Sequence, residues 1–269
     1  MEDETMDLAA DELKFHKGDF YLWRLVATGL SFLLFGIGGL LLRLLWFPLL
    51  SLLPGGRLAH RRRVRAAISR AFHWHVQFMY RTGVLTFTVE GAERLNQPGQ
   101  MVIANHPSLI DVVFLVSQIR DANCIVKQGL WRNPCMRGPI STAGYISNNG
   151  SPEMLEQAAS ALREGQTLIV FPEGTRTSPN VSPVFHRGAA AIALRGARVI
   201  TPVFITVQPT TLTKAEPWYS IPDRRFHVRL RVGADIDPAM FNAAAPMPIA
   251  SRRLNDYLHD LYAKELASP

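Results

Sequence analysis

The sequence predicts an α/β fold: a mixed, largely parallel sheet flanked by helices, with an N-terminal membrane-embedded helix or helix pair. Three observations carry this reading. Beyond residue 83, short β-rich runs alternate with helix-patterned segments, the pattern of strands joined by crossover helices. Leu25 to Leu42 is an 18-residue stretch with no ionisable side chain, close to the ~20 residues a helix needs to cross a bilayer core. Of the 269 residues, 48% are apolar and 19% charged, a balance that excludes disordered and collagen-like chains.

Three regions follow from N to C terminus. Residues 1–19 form an acidic tail, with seven acidic side chains against Lys14 and Lys17 for a net charge of −5. The other 27 basic and 15 acidic residues leave the remainder at +12, which suits an anionic partner. Residues 20–82 read as a membrane anchor followed by a basic amphipathic helix. Arg24 and Arg43 flank the uncharged stretch and can snorkel, and Trp23 and Trp46 suit the interfaces. An acidic leader with no small-residue cleavage site does not resemble a secretory signal. The anchor is expected either as one span with a second apolar stretch at the interface, or as two short helices bent at Gly36, Gly38 and Gly39 in one leaflet.

Residues 54–82 contain seven arginines and no acid, so the positive-inside bias puts this side in the cytoplasm. Val64, Ile68, Phe72, His75 and Met79 recur at helical spacing. The arginines around that face either meet anionic headgroups or form a solvated face over a helix packed on its own domain.

Residues 83–269 form one main domain. Strands are expected in VLTFTVEG, MVIANH, NCIVK, TAGYIS, TLIVF, RVITPVFIT and FHVRLRVG, and helices over residues 108–117, 152–164, 187–195 and 251–266. Ser151-Pro152-Glu153 is a helix start and Gly165 a helix stop. Cys124 and Cys135 lack metal or disulfide spacing, so two buried thiols and no metal site are expected.

Two strand ends carry candidate chemistry. Asn105-His106-Pro107-Ser108-Leu109-Ile110-Asp111 follows the apolar strand MVIA. Pro107 keeps His106 out of the helix, so Asp111 in the first helical turn can reach back to the imidazole and orient it as a general base. The same residues also read as a capping box, Ser108 to Asp111. The second strand end, TLIVF, leads into Pro172-Glu173-Gly174-Thr175-Arg176. Here Gly174 lets the backbone bend or approach a ligand. Arg176 has the fork geometry for a phosphate, and Glu173 accepts from a hydroxyl or holds the arginine. A plain turn with a surface ion pair has the same residues.

Together the two motifs resemble the glycerolipid acyltransferase family of the bacterial lysophosphatidic acid acyltransferase type. Its histidine-x4-aspartate signature stands at His106 and Asp111, and its acidic glycine motif at Phe171 to Arg176. Lys127, Leu130, Pro134 and Gly138, then Phe185 to Gly188 and Val199 to Val203, extend the resemblance over about residues 82–232.

The resemblance implies acyl transfer to a lysophospholipid hydroxyl, by default that of 1-acylglycerol-3-phosphate. The donor is a thioester of acyl carrier protein or coenzyme A, used as co-substrate with no cofactor. His106 takes the hydroxyl proton and Asp111 orients the ring. Asn105, Lys127, Glu173, Gly174, Thr175 and Arg176 form the substrate side, with Arg176 on the phosphate.

Membrane lipid and the thioester carrier are the implied partners, nucleic acid is not, and the implied location is the cytoplasmic face of a bacterial inner membrane. One departure bears on the acceptor. Members acting on lysophosphatidate usually carry an arginine shortly after the middle-motif glycine and isoleucine, whereas here Gly144-Tyr145-Ile146 leads into Ser147-Asn148-Asn149. The acceptor is then lysophosphatidate by default, or a lipid with a different headgroup or from a more specialised pathway.

Overall fold

A computed structural model describes residues 20–177, 183–214, 216–242 and 245–267, without the side chains of Pro134 and Cys135. The acidic tail expected at residues 1–19 lies outside the described residues, as does the Cys135 thiol. Cys124 is a buried free thiol.

Helix α1 (Tyr21–Leu41) passes through a π-helical turn (Leu42–Trp46) into α2 (Phe47–Ser51). Of the two expected geometries, the pair of helices bent at the glycines is not seen: the helix continues unbroken through Gly36, Gly38 and Gly39, where an added Cβ would meet nothing within 4 Å. The irregularity falls instead just before Pro48, which has no N–H for the carbonyl four residues back.

The continuous helix of 31 residues, Tyr21–Ser51, is the one described helix long and apolar enough to cross a membrane. Its polarity is the reverse of a soluble amphipathic helix. Arg24, Ala27, Thr28 and Ser31 face the protein, while Leu22, Val26, Leu33, Ile37, Leu44 and Leu45 are exposed.

α3 (Arg57–Arg81) runs back along α1. The Trp23 indole donates to the Thr82 carbonyl at one end, Phe35 meets Phe72 and His75 midway, and Arg63 reaches the Leu53 and Pro54 carbonyls at the other. Val64, Ile68 and Met79 enter the core as their spacing predicts.

The reading of the arginines as headgroup ligands fails for Arg65, which is 1% exposed. Its guanidinium donates to the Ala143 carbonyl (2.9 Å) and Gln166 Oε1 (2.7 Å) and lies 3.4 Å from Asp121. A buried guanidinium is stable only when its donors are met in this way.

The strands are β1 (Leu85–Glu90), β2 (Gln100–Ala104), β3 (Ala122–Lys127), β4 (Ile146–Asn148), β5 (Thr167–Val170), β6 (Val199–Gln208) and β7 (Phe226–Val232). They form one seven-stranded sheet in the order β1-β7-β6-β2-β5-β3-β4. All neighbours are parallel except β6 and β7.

The helices are α4 (Asp111–Gln118), α5 (Pro134–Ala143), α6 (Pro152–Arg163), α7 (Arg187–Gly196), α8 (Ala239–Asn242) and α9 (Met247–Ala267). α5 was not among the expected helices, and it forms with Pro139 inside it. The expected strand TAGYIS is correspondingly short: Thr142 and Ala143 close α5, Gly144 turns at φ 69°, and β4 begins only at Ile146.

One face of the sheet is covered by α1, α3 and α4, the other by α6, α7 and α9. β2 is buried at all five positions, as a central parallel strand covered on both faces must be. The Tyr262 hydroxyl of α9 donates to the Ile103 carbonyl (2.5 Å) and accepts from the Val203 N–H (3.2 Å), pinning the end of β2 three residues before His106.

Candidate functional site

Because β2, β5, β3 and β4 are parallel, their C-terminal ends share one edge of the sheet, where α/β folds present side chains to ligands. Both sequence motifs lie there, one after β2 and one after β5, and those two strands are direct neighbours.

His106 sits in the turn between β2 and α4 and is 15% exposed at the side chain. Its Nδ1 lies 3.0 Å from Asp111 Oδ2, and its Nε2 has no hydrogen-bond partner among the described residues. The imidazole leans over the Phe171 ring at 4.5 Å between centroids. Asp111 is fully buried, and its Oδ2 also accepts from the Ser108 N–H at 2.6 Å. One oxygen therefore closes the helix-start turn and holds the imidazole. Burial pushes the Asp111 carboxyl above its ordinary range, opposed by the bonds from His106 and Ser108.

The β5 turn grips the backbone of the same histidine. Glu173 Oε1 accepts from the His106 N–H (2.9 Å), and the Thr177 N–H donates to the His106 carbonyl (3.0 Å). Glu173 was expected on the substrate side, but this oxygen is spent on positioning His106, and its Oε2 is buried without a partner among the described residues. Burial raises the Glu173 carboxyl from 4.5 to about 7. Gly174 takes a left-handed φ of 67° at the turn tip, where Thr175 is also exposed.

Asn105 is buried and belongs to the sheet rather than the cleft. Its amide accepts from the Ile205 N–H (2.8 Å) and donates to the Ile205 carbonyl (2.8 Å), extending the β2–β6 ladder by one rung through a side chain. Arg176 gives Nη1 to the carbonyls of Leu212 and Thr213, each at 2.8 Å, leaving the rest of its fork without a described partner. Lys127 is exposed at the end of β3, in register with Asn148 of β4.

The reading of the sequence missed the loop after β6. Its Thr211 carbonyl accepts from Ser108 Oγ (2.9 Å) and its Leu212 carbonyl from the Leu109 N–H (3.0 Å), besides the bonds to Arg176. Further along, Trp218 packs on Phe32 and Gly29 of α1, and the Pro222 and Asp223 carbonyls accept from Arg24. One loop thus joins both motifs to the apolar helix. Thr-Thr-Leu-Thr carries no sequence signal for this, because the loop contributes carbonyls rather than side chains.

Chemically, the edge offers an imidazole whose inner nitrogen is held by a buried carboxylate, and whose outer nitrogen is free to take a proton. Arg176 follows β5 and Lys127 ends β3 along the same edge of the sheet.

Residues 86–206 match the family described as Acyltransferase. A chloroplastic 1-acyl-sn-glycerol-3-phosphate acyltransferase of Arabidopsis thaliana is 25% identical over 122 residues, 43% of this chain and 34% of the relative. A probable 1-acyl-sn-glycerol-3-phosphate acyltransferase of Mycoplasma pneumoniae is 26% identical over 192 residues, 65% of this chain and 70% of the other. The chain spans about a third of the length of the plant relative. The crystal structure of the 1-acyl-sn-glycerophosphate acyltransferase PlsC from Thermotoga maritima is 20% identical, with a TM-score of 0.65 over 91% of this chain and 97% of that one, and shares the fold.

Proposed function

We propose that the chain, whose residues 86–206 match the Acyltransferase family, moves a fatty acyl group from an acyl thioester to a lysophospholipid hydroxyl at a bilayer surface. The observation that carries this reading is the 3.0 Å contact between His106 Nδ1 and the buried Asp111. It fixes the tautomer that leaves Nε2 as the base.

In the reaction Nε2 takes the acceptor hydroxyl proton as the oxygen attacks the thioester carbonyl. The tetrahedral intermediate then collapses by breaking the carbon–sulfur bond, and the imidazolium returns the proton to the leaving thiolate. Asp111 stabilises the imidazolium between the two steps. No acyl-enzyme forms, because the nucleophile is the acceptor itself.

The free part of the Arg176 fork is the phosphate ligand beside Gly174 and Thr175. Lys127 supplies a second cation where Asn148 and Asn149 stand in place of the family's middle-motif arginine. This pairing supports 1-acylglycerol-3-phosphate as the acceptor, with acyl carrier protein or coenzyme A as the donor's carrier.

The outward apolar face of α1 supports membrane attachment, and its packing along α3 favours insertion by that face over a span wrapped by lipid on all sides. A bound acyl chain then moves between apolar surroundings, avoiding the ~0.8 kcal/mol per methylene of entry into water. The arginines of α3 support a cytoplasmic domain at a bacterial inner membrane. The regions 1–19, 20–82 and 83–269 are then tail, anchor and acyltransferase domain.

Incubating purified protein with mixed lysolipids and matched acyl carrier and coenzyme A thioesters, followed by mass spectrometry, tests the proposal. Acylated lysophosphatidate as the main product is expected. Free fatty acid alone, or no product that depends on His106, would overturn it.

A further inference from the structure

A cavity of about 890 Å³ opens at the opposite edge of the sheet from His106. Its walls include Gln97, Pro98, Gly165 and Thr167, which precede or begin β2 and β5, whereas His106 and Glu173 follow the ends of those strands. The cavity is therefore separated from the catalytic edge by the length of a strand, and does not belong to that site.

Its lining is amphipathic. Trp46 and Leu50 come from the far end of the apolar helix and Leu53 from the turn after it, and Arg62, Arg63, Arg70 and Arg120 bring four guanidinium groups. The single acid, Asp121, is already matched by Arg62 at 3.3 Å and Arg65 at 3.4 Å. Arg63 is engaged with the Leu53 and Pro54 carbonyls. The guanidinium groups of Arg70 and Arg120 are exposed and have no partner among the described residues.

Uncompensated cations beside an apolar wall suit a ligand that is anionic at one end and hydrocarbon at the other. The wall also continues the outward face of the helix, where Trp46, Leu49 and Leu52 are exposed, so a molecule in the cavity can keep its chains in the bilayer. The volume lies within the ~300–1,000 Å³ of ordinary ligand pockets. We propose that this groove is a second, non-catalytic lipid site that holds an anionic glycerophospholipid of the bilayer. Arg70 and Arg120 bind its phosphate, and Trp46, Leu50 and Leu53 receive its chain.

The test measures lipid retention, independently of turnover. Full-length protein is equilibrated with vesicles of equal parts phosphatidylglycerol and phosphatidylcholine, re-isolated in mild detergent, and its bound lipid identified by native mass spectrometry. Wild type is expected to retain phosphatidylglycerol preferentially. Arg70→Glu/Arg120→Glu should lose that preference roughly tenfold, given the attraction of each basic residue for anionic lipid. Arg70→Lys/Arg120→Lys should largely keep it. Arg252→Glu/Arg253→Glu, an equal change of charge on α9 across the sheet, should also keep it.

Equal losses in the two glutamate pairs would reduce the effect to general attraction and overturn the site, as would an unchanged preference in Arg70→Glu/Arg120→Glu. Displacement by millimolar inorganic phosphate would make the ligand a soluble anion instead. A preference gained only on deleting residues 1–19, and abolished by adding that segment as a peptide, would make the acidic tail the occupant.

Discussion

Asp111 and Glu173 are both buried carboxylates in contact with His106, one from each strand-end turn, but they hold different parts of it. Asp111 binds ring Nδ1 and so sets the chemistry of Nε2. Glu173 binds the backbone N–H and so sets where the residue stands. The two turns therefore divide a single task, and the difference teaches that acidic residues of one cleft need not share a role. In the proposed reaction charge matters at 111, where an imidazolium is to be stabilised. At 173 an acceptor atom is enough, because the partner is a neutral amide.

The largest expected effect lies at the shared partner. His106→Ala removes the proposed base and should lower acyl transfer by roughly two to four orders of magnitude, measured as initial rate on protein whose melting temperature shows it folded. Asp111→Asn should fall almost as far, because an amide can present N–H to Nδ1 and hold the wrong tautomer. The loss should appear in kcat, with KM for both substrates little changed. If Asp111→Asn instead lost only stability, the carboxylate would be a helix-start residue alone and the contrast with Glu173 would collapse.

Much of this site was legible in the sequence because its parts are local. Pro107 and the five-residue step from His106 to Asp111 dictate that the carboxylate can turn back. The catalytic and the capping readings of Ser108 to Asp111 need not exclude each other, because Oδ2 contacts the His106 ring and the Ser108 N–H at once.

What the sequence hid is long-range. Nothing near Asn105 announces that its amide bonds Ile205, a hundred residues away. Arg65 matches the arginines around it in sequence and differs only by facing Ala143, Gln166 and Asp121. α5 forms despite Pro139 and Gly138 because tertiary packing overrides propensity; the Arg43 side chain lies where a Cβ on Gly138 would stand. The antiparallel β6–β7 pair and the placing of β1 beside β7 depend on pairings no local pattern encodes.

Glu173→Gln sharpens the comparison from the other side. Gln keeps an oxygen for the His106 N–H, so turnover should drop by only about tenfold or less, far short of Asp111→Asn. Its signature is in pH. The folded pKa of about 7 lies above the ordinary 4.5, so the folded state holds this proton longer than the unfolded chain does. The associated stability is present in full below pH ~4.5, is lost as pH rises to ~7, and amounts to about 3 kcal/mol. Glu173→Gln removes that loss, so the difference in melting temperature between variant and wild type should move in the variant's favour between pH 5 and 7. A difference independent of pH would mean that Glu173 is ionised throughout, and the two carboxylates would then be electrostatically alike.

Ser108→Ala has the smallest expected effect, and it isolates what the loop after β6 contributes. The Ser108 Oγ donates to the Thr211 carbonyl from a fully buried position, while the backbone N–H that meets Asp111 survives the substitution. Losing the hydroxyl leaves one carbonyl short of a partner, about 1 kcal/mol, or about 2–4 °C in melting temperature for a domain of this size. The Leu109 N–H and Arg176 still tie the loop to the two motifs, so acyl transfer at 25 °C should stay within about threefold of wild type. A fall of tenfold or more with the melting temperature unchanged would mean that the loop, and through Trp218 and Arg24 the apolar helix, sets the geometry of the histidine turn, making that helix a third hand on His106 beside the two carboxylates.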